Sequence, residues 1–395
     1  MAIILLFTQT ALAQSNDYAI GLDSFSYSTV ADALSKYKII GLGESAHGIT
    51  EFHQWDHSFL RYLIAKERIK VVVLEDNYSK IKKINNFLQG RSPGMSLDSL
   101  MKHDLYAVWQ SKELMHLFEF IKDYNTGAGT HRVYVVGADM QNADGIYDVF
   151  DYCKKRNIPL AGITDHDLQL TADLGKGEKY NFKKLPAEDK QRIKETIRSF
   201  QECFDRLSKD TTVTATDEFT EALQDFTIVR QCFENETAGI FKWIKYRNEM
   251  LAQNVLWAEK NMARGRGVVF IAHNGHIADA SMSTGKYIKQ AEPGYYSLAQ
   301  DFMDGTIANL YTGKRDNIRI ANERKMLAAY FNGQDGTLFY ANFQNKDYKS
   351  SKLYEFGRSN NQIHNIGTDN NTTMSIRSNE TFSGIIIHKK VSSFF

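Results

Sequence analysis

Short runs of β-branched and apolar residues recur along this chain, each closed by a glycine or a polar cluster, and stretches with helical apolar spacing lie between them. Four runs have the length and composition of strands buried on both faces: Tyr37–Leu42, Ile69–Leu74, Arg132–Gly137 and Gly267–Ala272. After the first, Phe52, Trp55, Phe59, Tyr62 and Leu63 recur at the spacing of one helix face and predict a helix over Glu51–Ala65. Further helices are predicted over Ser79–Leu88, over Ser111–Tyr124 with Leu114, Leu117, Phe118 and Ile121 on one face, and around Ile146–Lys155. From Pro186 to Arg264 strand-like runs disappear, and helices are expected over Ala187–Lys209 and over Asp217–Met262, the second interrupted by one or more breaks. Past Tyr295 come short strand signals, Thr337–Phe343 and Phe382–His388 among them. The Asn-, Ser- and Lys-rich stretch 344–380 between those two reads as a surface excursion.

Strands that alternate with helices point to an α/β fold: a small parallel sheet flanked by helices, carrying a largely helical insertion or second subdomain. The corresponding divisions are a first part of the α/β core over 20–165 and a helical subdomain over 166–265. Residues 266–340 complete the core, and 341–395 hold the polar excursion and a C-terminal strand.

Charge narrows the function classes. The 48 basic and 47 acidic residues leave a formal charge of +1, so no overall field draws the chain to nucleic acid or an anionic membrane, and no basic stripe interleaved with aromatics appears. At the N-terminus, Ile3–Phe7 is an apolar run too short to span a bilayer, and Ala11-Leu12-Ala13 is a small-x-small pattern. Residues 1–13 are therefore expected to be a signal peptide and the chain to be exported, periplasmic or secreted, although no Lys or Arg precedes the apolar run. Cys153, Cys203 and Cys232 form no CxxC pair; they read as buried thiols, with export permitting at most one bridge.

The chemistry gathers where the four buried runs end. Gly43-Glu44-Ser45-Ala46-His47 follows the first, Glu75-Asp76-Asn77 the second, Ala138-Asp139-Met140-Gln141 the third and His273-Asn274-Gly275-His276 the fourth. In a parallel sheet all these ends share one edge, the edge on which such folds bind ligands. Each residue alone has an ordinary structural explanation. Glu44 and Ser45 suit a helix cap, Asn274 a turn, and Asp139 the acceptance of backbone N–H groups. Four polar clusters on one edge favour a cleft. Two carboxylates and three histidines can run general acid–base chemistry, and the same atoms can bind a divalent metal. No G-x-S-x-G elbow or Gly-rich phosphate loop is present, which argues against a serine hydrolase and a nucleotide site.

At these residues the sequence resembles the erythromycin esterase family. The resemblance is carried by Gly41-Leu42-Gly43-Glu44-Ser45-Ala46-His47-Gly48 with Glu51-Phe52, by Leu74-Glu75, and by the Trp109…Glu113 segment. It continues through Gly137-x-Asp139-x-Gln141, Arg247…Asn254-x-x-Trp257 and Ala272-His273-Asn274-Gly275-His276, spanning roughly residues 20 to 310. It implies the α/β fold and a metal-independent, cofactor-free hydrolase of esters or macrolide lactones, with His47 as general base and Glu44, Glu75, His273 and His276 lining the same cleft. Ser45, Trp109, Asp139, Arg247 and Asn274 are the candidate substrate contacts. Twelve positions past Glu44, where resistance esterases tend to carry a basic residue, stands Asp56, and the Arg-Asp pair of the late helical motif is Arg247-Asn248 here. Two alternatives remain open at this level: a metallohydrolase using Glu44, His47, His273 and His276, and a non-enzymatic small-molecule or haem-binding protein. The expected partner is a small-molecule ester or macrolide.

Overall fold

The computed structural model describes residues 19–22 and 27–394, except positions 93, 161, 178–180, 239, 310–313, 321, 322, 324, 368–371, 378 and 379. The proposed leader, residues 1–13, lies outside the described residues.

The described strands are β1 (Ala19–Leu22), β2 (Ile39–Glu44), β3 (Ile69–Asn77), β4 (Tyr134–Asp139), β5 (Gly267–His273), β6 (Tyr295–Ala308), β7 (Arg315–Arg319), β8 (Leu338–Asn342), β9 (Gln362–His364), β10 (Thr373–Ser375) and β11 (Gly384–Ser392). One nine-stranded sheet runs β1-β8-β11-β6-β2-β5-β3-β4, with β7 paired to β6, while β9 and β10 pair separately. From β11 to β4 every pairing is parallel. The antiparallel pairs lie at β1, β7 and β8. The four predicted buried runs became β2, β3, β4 and β5, at the centre and one edge of the sheet. The parallel part extends further than those four, through β11, where the Phe382–His388 signal falls, and through β6, whose polar interruptions (Ser297, Gln300, Asp301) obscured it.

The apolar runs are unbroken because both sheet faces are covered, and successive side chains go to opposite cores. Ile39, Val71, Val73, Phe270 and Ala272 point into one core. There they meet Leu251 and Val255 of the Ile240–Ala258 helix and Ile288 of the Thr284–Ala291 helix. Ile40, Leu42, Val72, Leu74, Val269 and Ile271 point into the other. The helices Thr50–Ala65, Tyr78–Leu88 and Lys112–Gly127 cover that side with Phe59, Leu63, Ile81, Ile84, Phe118 and Ile121. Each large side chain so buried contributes about 1.5–3 kcal/mol.

Between β4 and β5 the chain is helical as expected, with its main helices at Ile146–Lys155, Asp165–Ala172, Ala187–Leu207, Asp217–Thr237 and Ile240–Ala258. The break expected within Asp217–Met262 falls at Ala238, whose backbone is extended. A π-helical turn, Glu259–Ala263, precedes Arg264 and Gly265, both at positive φ. This part is not one unit. The first four helices share an apolar core of their own around Phe200, Phe204 and Phe226. The last helix instead joins the sheet, which brings Arg247 to the strand ends.

The stretch 344–380 corrects the expectation of a surface excursion. Tyr348, Leu353, Ile363 and Ile366 are buried, and the Ile366 N–H donates to the Ser45 carbonyl at 2.7 Å. A composition averaged over the stretch hides single apolar anchors spaced between polar turns.

Candidate active site

The parallel register aligns the polar ends of the strands: Glu44 pairs with His273 across β2 and β5, and Leu74 lies level with Ile271 and with Gly137. Beyond Glu44 the chain turns through Ser45, Ala46 and His47 to Gly48, at φ 71°, and enters the Thr50–Ala65 helix. A side chain at Gly48 would be strained in that left-handed conformation. Gly43 is required for closeness: a Cβ there would lie 2.2 Å from Asn274 Oδ1 and 2.6 Å from Ile277 Cδ1. The small residue lets the turn after β5 sit directly on the end of β2.

Glu44 is 1% exposed, and His47 Nδ1 donates to its Oε1 at 2.5 Å. His53, one turn into the helix, brings Nε2 to 3.5 Å from Glu44 Oε2. Its Nδ1 lies 2.7 Å from Ser111 Oγ, and its ring stacks on Trp109 at a centroid distance of 5.8 Å. The ionised Glu44 carboxylate can only accept, so the His53 ring proton belongs on Nε2 and Nδ1 is left to accept from the Ser111 hydroxyl, whose oxygen also accepts the Leu114 N–H as a helix cap. Burial alone would raise the Glu44 pKa, but the charges and hydrogen bonds of His47 and His53 outweigh it and hold the carboxyl at about 2. For His47, burial disfavours the imidazolium, yet Glu44 and then Glu75 prevail and raise its pKa. With Nδ1 committed to Glu44 and the side chain 21% exposed, Nε2 is the ring nitrogen left for the cleft.

Glu75 anchors the second half of the site. Its Oε1 accepts from Arg247 Nη2 at 2.9 Å and lies 3.0 Å from His276 Nε2, while its Oε2 accepts the His273 N–H at 3.0 Å. Arg247 also forks onto Asp139, with Nη2–Oδ2 at 2.6 Å and Nε–Oδ1 at 3.3 Å. Asp139 accepts the Met140 N–H and the Gln141 amide as well. Burial opposes ionisation of Glu75, but His276 and then Arg247 keep its pKa well below the usual carboxylate range. On its other side, His276 Nδ1 donates to Asn248 Oδ1 at 2.5 Å, and Asn248 Oδ1 also accepts the Thr284 hydroxyl.

His273 faces His47, ring centroid to ring centroid 5.0 Å. Its Nδ1 accepts the Gly275 N–H at 3.3 Å, so the ring proton sits on Nε2, a buried atom with no hydrogen-bond partner among the described residues. Burial first, then the neighbouring His47, lowers the His273 pKa to about 4. His273 is thus an uncharged donor beside His47, whose Nε2 accepts a proton when that ring is neutral. That pairing suits polarising a carbonyl oxygen next to a water-activating base.

The structure therefore brings Glu44, His47, Glu75, Asp139, Arg247, His273 and His276 together, with Trp109 beneath the histidines donating Nε1–H to the Glu75 carbonyl at 3.1 Å. Ser45 is buried and bonds through its backbone to Ile366, while Asn274 donates to the Gln300 carbonyl at 2.8 Å. Asp139 and Arg247 spend their polar atoms on each other and on neighbouring residues. Among the described residues no three His, Cys, Asp or Glu side chains are grouped to hold a metal ion.

Sequence reasoning passed over His53 and Gln300 and read Ser111 only as a helix start. His53 sits among the buried positions of its helix, and its approach to Glu44 and its bond with Ser111 show its polar role. Asp56 is buried rather than open to the cleft. It accepts from Gln300 Nε2 at 2.8 Å, Gln300 Oε1 in turn accepts from His388 Nε2 at 3.0 Å, and burial followed by the Glu44 charge pushes the Asp56 pKa well up.

The erythromycin esterase family profile matches residues 64–391. This chain belongs to the erythromycin esterase family. A curated relative, the Escherichia coli erythromycin esterase type II, is 21% identical over 302 residues, covering 69% of this chain and 71% of the relative. Among solved structures, a Bacillus cereus protein superposes with a TM-score of 0.79 at 17% identity, over 96% of this chain and 94% of its own. A protein described as acting in succinoglycan biosynthesis gives 0.75 at 16% identity over the same shares. A histidine-to-asparagine variant of the erythromycin esterase EreC, in its open conformation, gives 0.65 at 14% identity, over 94% of this chain and 95% of its own. These structures share the mostly parallel, helix-flanked fold. Membership of this esterase family supports a hydrolase-like function on a small-molecule substrate. No helix among the described residues is long and apolar enough to cross a membrane.

Proposed function

We propose that the protein hydrolyses a carboxylic ester or lactone without a metal, by attack of a water molecule activated at His47. Water, placed against His47 Nε2, gives its proton to the ring as its oxygen bonds to the ester carbonyl carbon. Glu44 holds the Nδ1 proton in place and stabilises the imidazolium that forms. His273 Nε2–H donates to the carbonyl oxygen as negative charge develops there. Collapse of the tetrahedral intermediate breaks the C–O bond, and the His47 imidazolium returns a proton to the departing alcohol. Glu75 carries no step; with Arg247 it fixes His276 and the His273 backbone.

The observation that carries this reading is the pairing of the Glu44-bound His47 with a buried, uncharged His273 whose Nε2 has no partner among the described residues. The carboxylates a metal would need are engaged by His47, His276 and Arg247, which supports acid–base chemistry in their place. The relatives named as erythromycin esterases make a macrolide lactone the first substrate to offer. We further propose that the chain is exported, on the strength of Ala11-Leu12-Ala13 after an apolar run; N-terminal sequencing of protein from the periplasm would find a new terminus near Gln14.

The test is incubation of chelator-treated protein with erythromycin, read by mass spectrometry, beside His47→Ala. Addition of one water to the macrolide, abolished in the variant, is expected. Undiminished hydrolysis by His47→Ala, or activity that returns only on adding a metal, overturns the mechanism, and an intact macrolide with other esters cleaved removes the macrolide assignment alone.

A further inference from the structure

Two of the three cysteines meet in the helical part, away from the site described above. Cys153 lies in the last turn of the Ile146–Lys155 helix and Cys203 near the end of the Ala187–Leu207 helix. Both are buried in the core formed by Phe200, Phe204 and Phe226, and their sulfurs are 3.7 Å apart. Cys232 is buried in the same core. None of the three touches the acid–base site, so their pairing calls for a separate explanation.

We propose that Cys153 and Cys203 are a disulfide site, bridged when the chain folds in an oxidising compartment. A disulfide requires its sulfurs about 2.05 Å apart. The two sulfurs are already in contact, and Tyr152 stacks on Phe204 between the same two helices.

The donor is a small or protein disulfide, such as oxidised glutathione or an exchange oxidase. The thiolate of one cysteine attacks one donor sulfur, forming a mixed disulfide and releasing one thiol. The other cysteine then gives up its proton, attacks the protein sulfur of that mixed disulfide and releases the second thiol. Two cysteine thiols are oxidised and one donor disulfide is reduced to two thiols. Burial of both sulfurs means that the exchange completes before the helices close over them. The bridge would tie positions 50 residues apart (203 − 153) and hold the helix that follows β4 against the next long one. It is independent of the hydrolytic reading.

The experiment refolds the full chain in a glutathione buffer rich in oxidised glutathione, then counts thiols after denaturing alkylation and maps peptides without reductant. The expected result is one free thiol, at Cys232, a mass lower by two hydrogens, and a linked Cys153–Cys203 peptide pair. Reductant should lower the melting midpoint of the oxidised wild type and of Cys232→Ser by on the order of 5 °C, and leave that of Cys203→Ser unchanged. Three free thiols, or a bridge that includes Cys232, overturns the proposal. Because the refolding uses added glutathione, this outcome does not depend on whether the chain is exported.

Discussion

Replacing Arg247 by Met tests how the site is held together. Arg247 is 13% exposed and joins Asp139 at the end of β4 to Glu75 at the end of β3. Met fills similar volume but leaves two buried carboxylates without their cation. Breaking a buried ion pair by removing one partner costs about 3–5 kcal/mol. Here Asp139 keeps the Met140 N–H and Gln141, and Glu75 keeps His276 and the His273 N–H, so the lower end, about 3 kcal/mol, is expected. A chain of 395 residues unfolds with an entropy of ~0.8 kcal/mol/K, which converts that loss into a fall in Tm of about 4 °C. The pH dependence is the sharper signature. Because the folded Glu75 pKa is depressed, its charge interactions stabilise the fold above its ordinary value of 4.5, and this stabilisation is lost as pH falls through the depressed value. Arg247 supplies part of that depression, so wild type and variant should converge in acid. Urea unfolding at a series of pH values from neutral to strongly acid measures both quantities. A difference below about 1 kcal/mol at neutral pH, or one that stays constant into acid, would refute the account of Arg247 as the cation that neutralises this edge.

Three further perturbations follow from the same geometry. Glu44→Gln removes the charge that raises the His47 pKa, so the rising limb of the pH–rate profile should move to lower pH, with a rate loss of roughly 10²–10⁴ from the weakened base; an unmoved limb shows that His47 is not the group being titrated. His53→Phe keeps a ring on Trp109 but removes the donor that faces Glu44, which leaves Glu44 more basic and should move the same limb to higher pH. A plain loss of rate with no movement would assign His53 to packing alone. Gly43→Ala drives a methyl group into Asn274 and Ile277 and should destabilise by about 1–3 kcal/mol in urea unfolding; a neutral effect would mean that the turn after β5 is free to shift.

The chain's pattern determined a good deal by itself. Buried strands of a parallel sheet must be apolar on both faces, so β2, β3, β4 and β5 stood out as runs, and the polar residues that close them had to share one edge. Glu44, Glu75, Asp139 and His273 were legible for that reason. The long helices from 187 onward were legible through their 3.6-residue spacing, since each buries one face. Helical spacing could not show which neighbour each helix chooses, and so did not separate the Ile240–Ala258 helix, which carries Arg247 to the sheet, from those that form a core of their own. Nor could local pattern disclose partners brought together by closure. His53 carries no signal in the pattern, and Asp56 reads only as a departure from the family at the place of a basic residue, until packing places the first against Glu44 and the second against Gln300. Asn248, which stands where the family pattern has an Asp, proved to be the acceptor that orients His276. These roles rest on contacts between residues far apart in sequence and on burial that shifts protonation, and both exist only once the tertiary structure has formed.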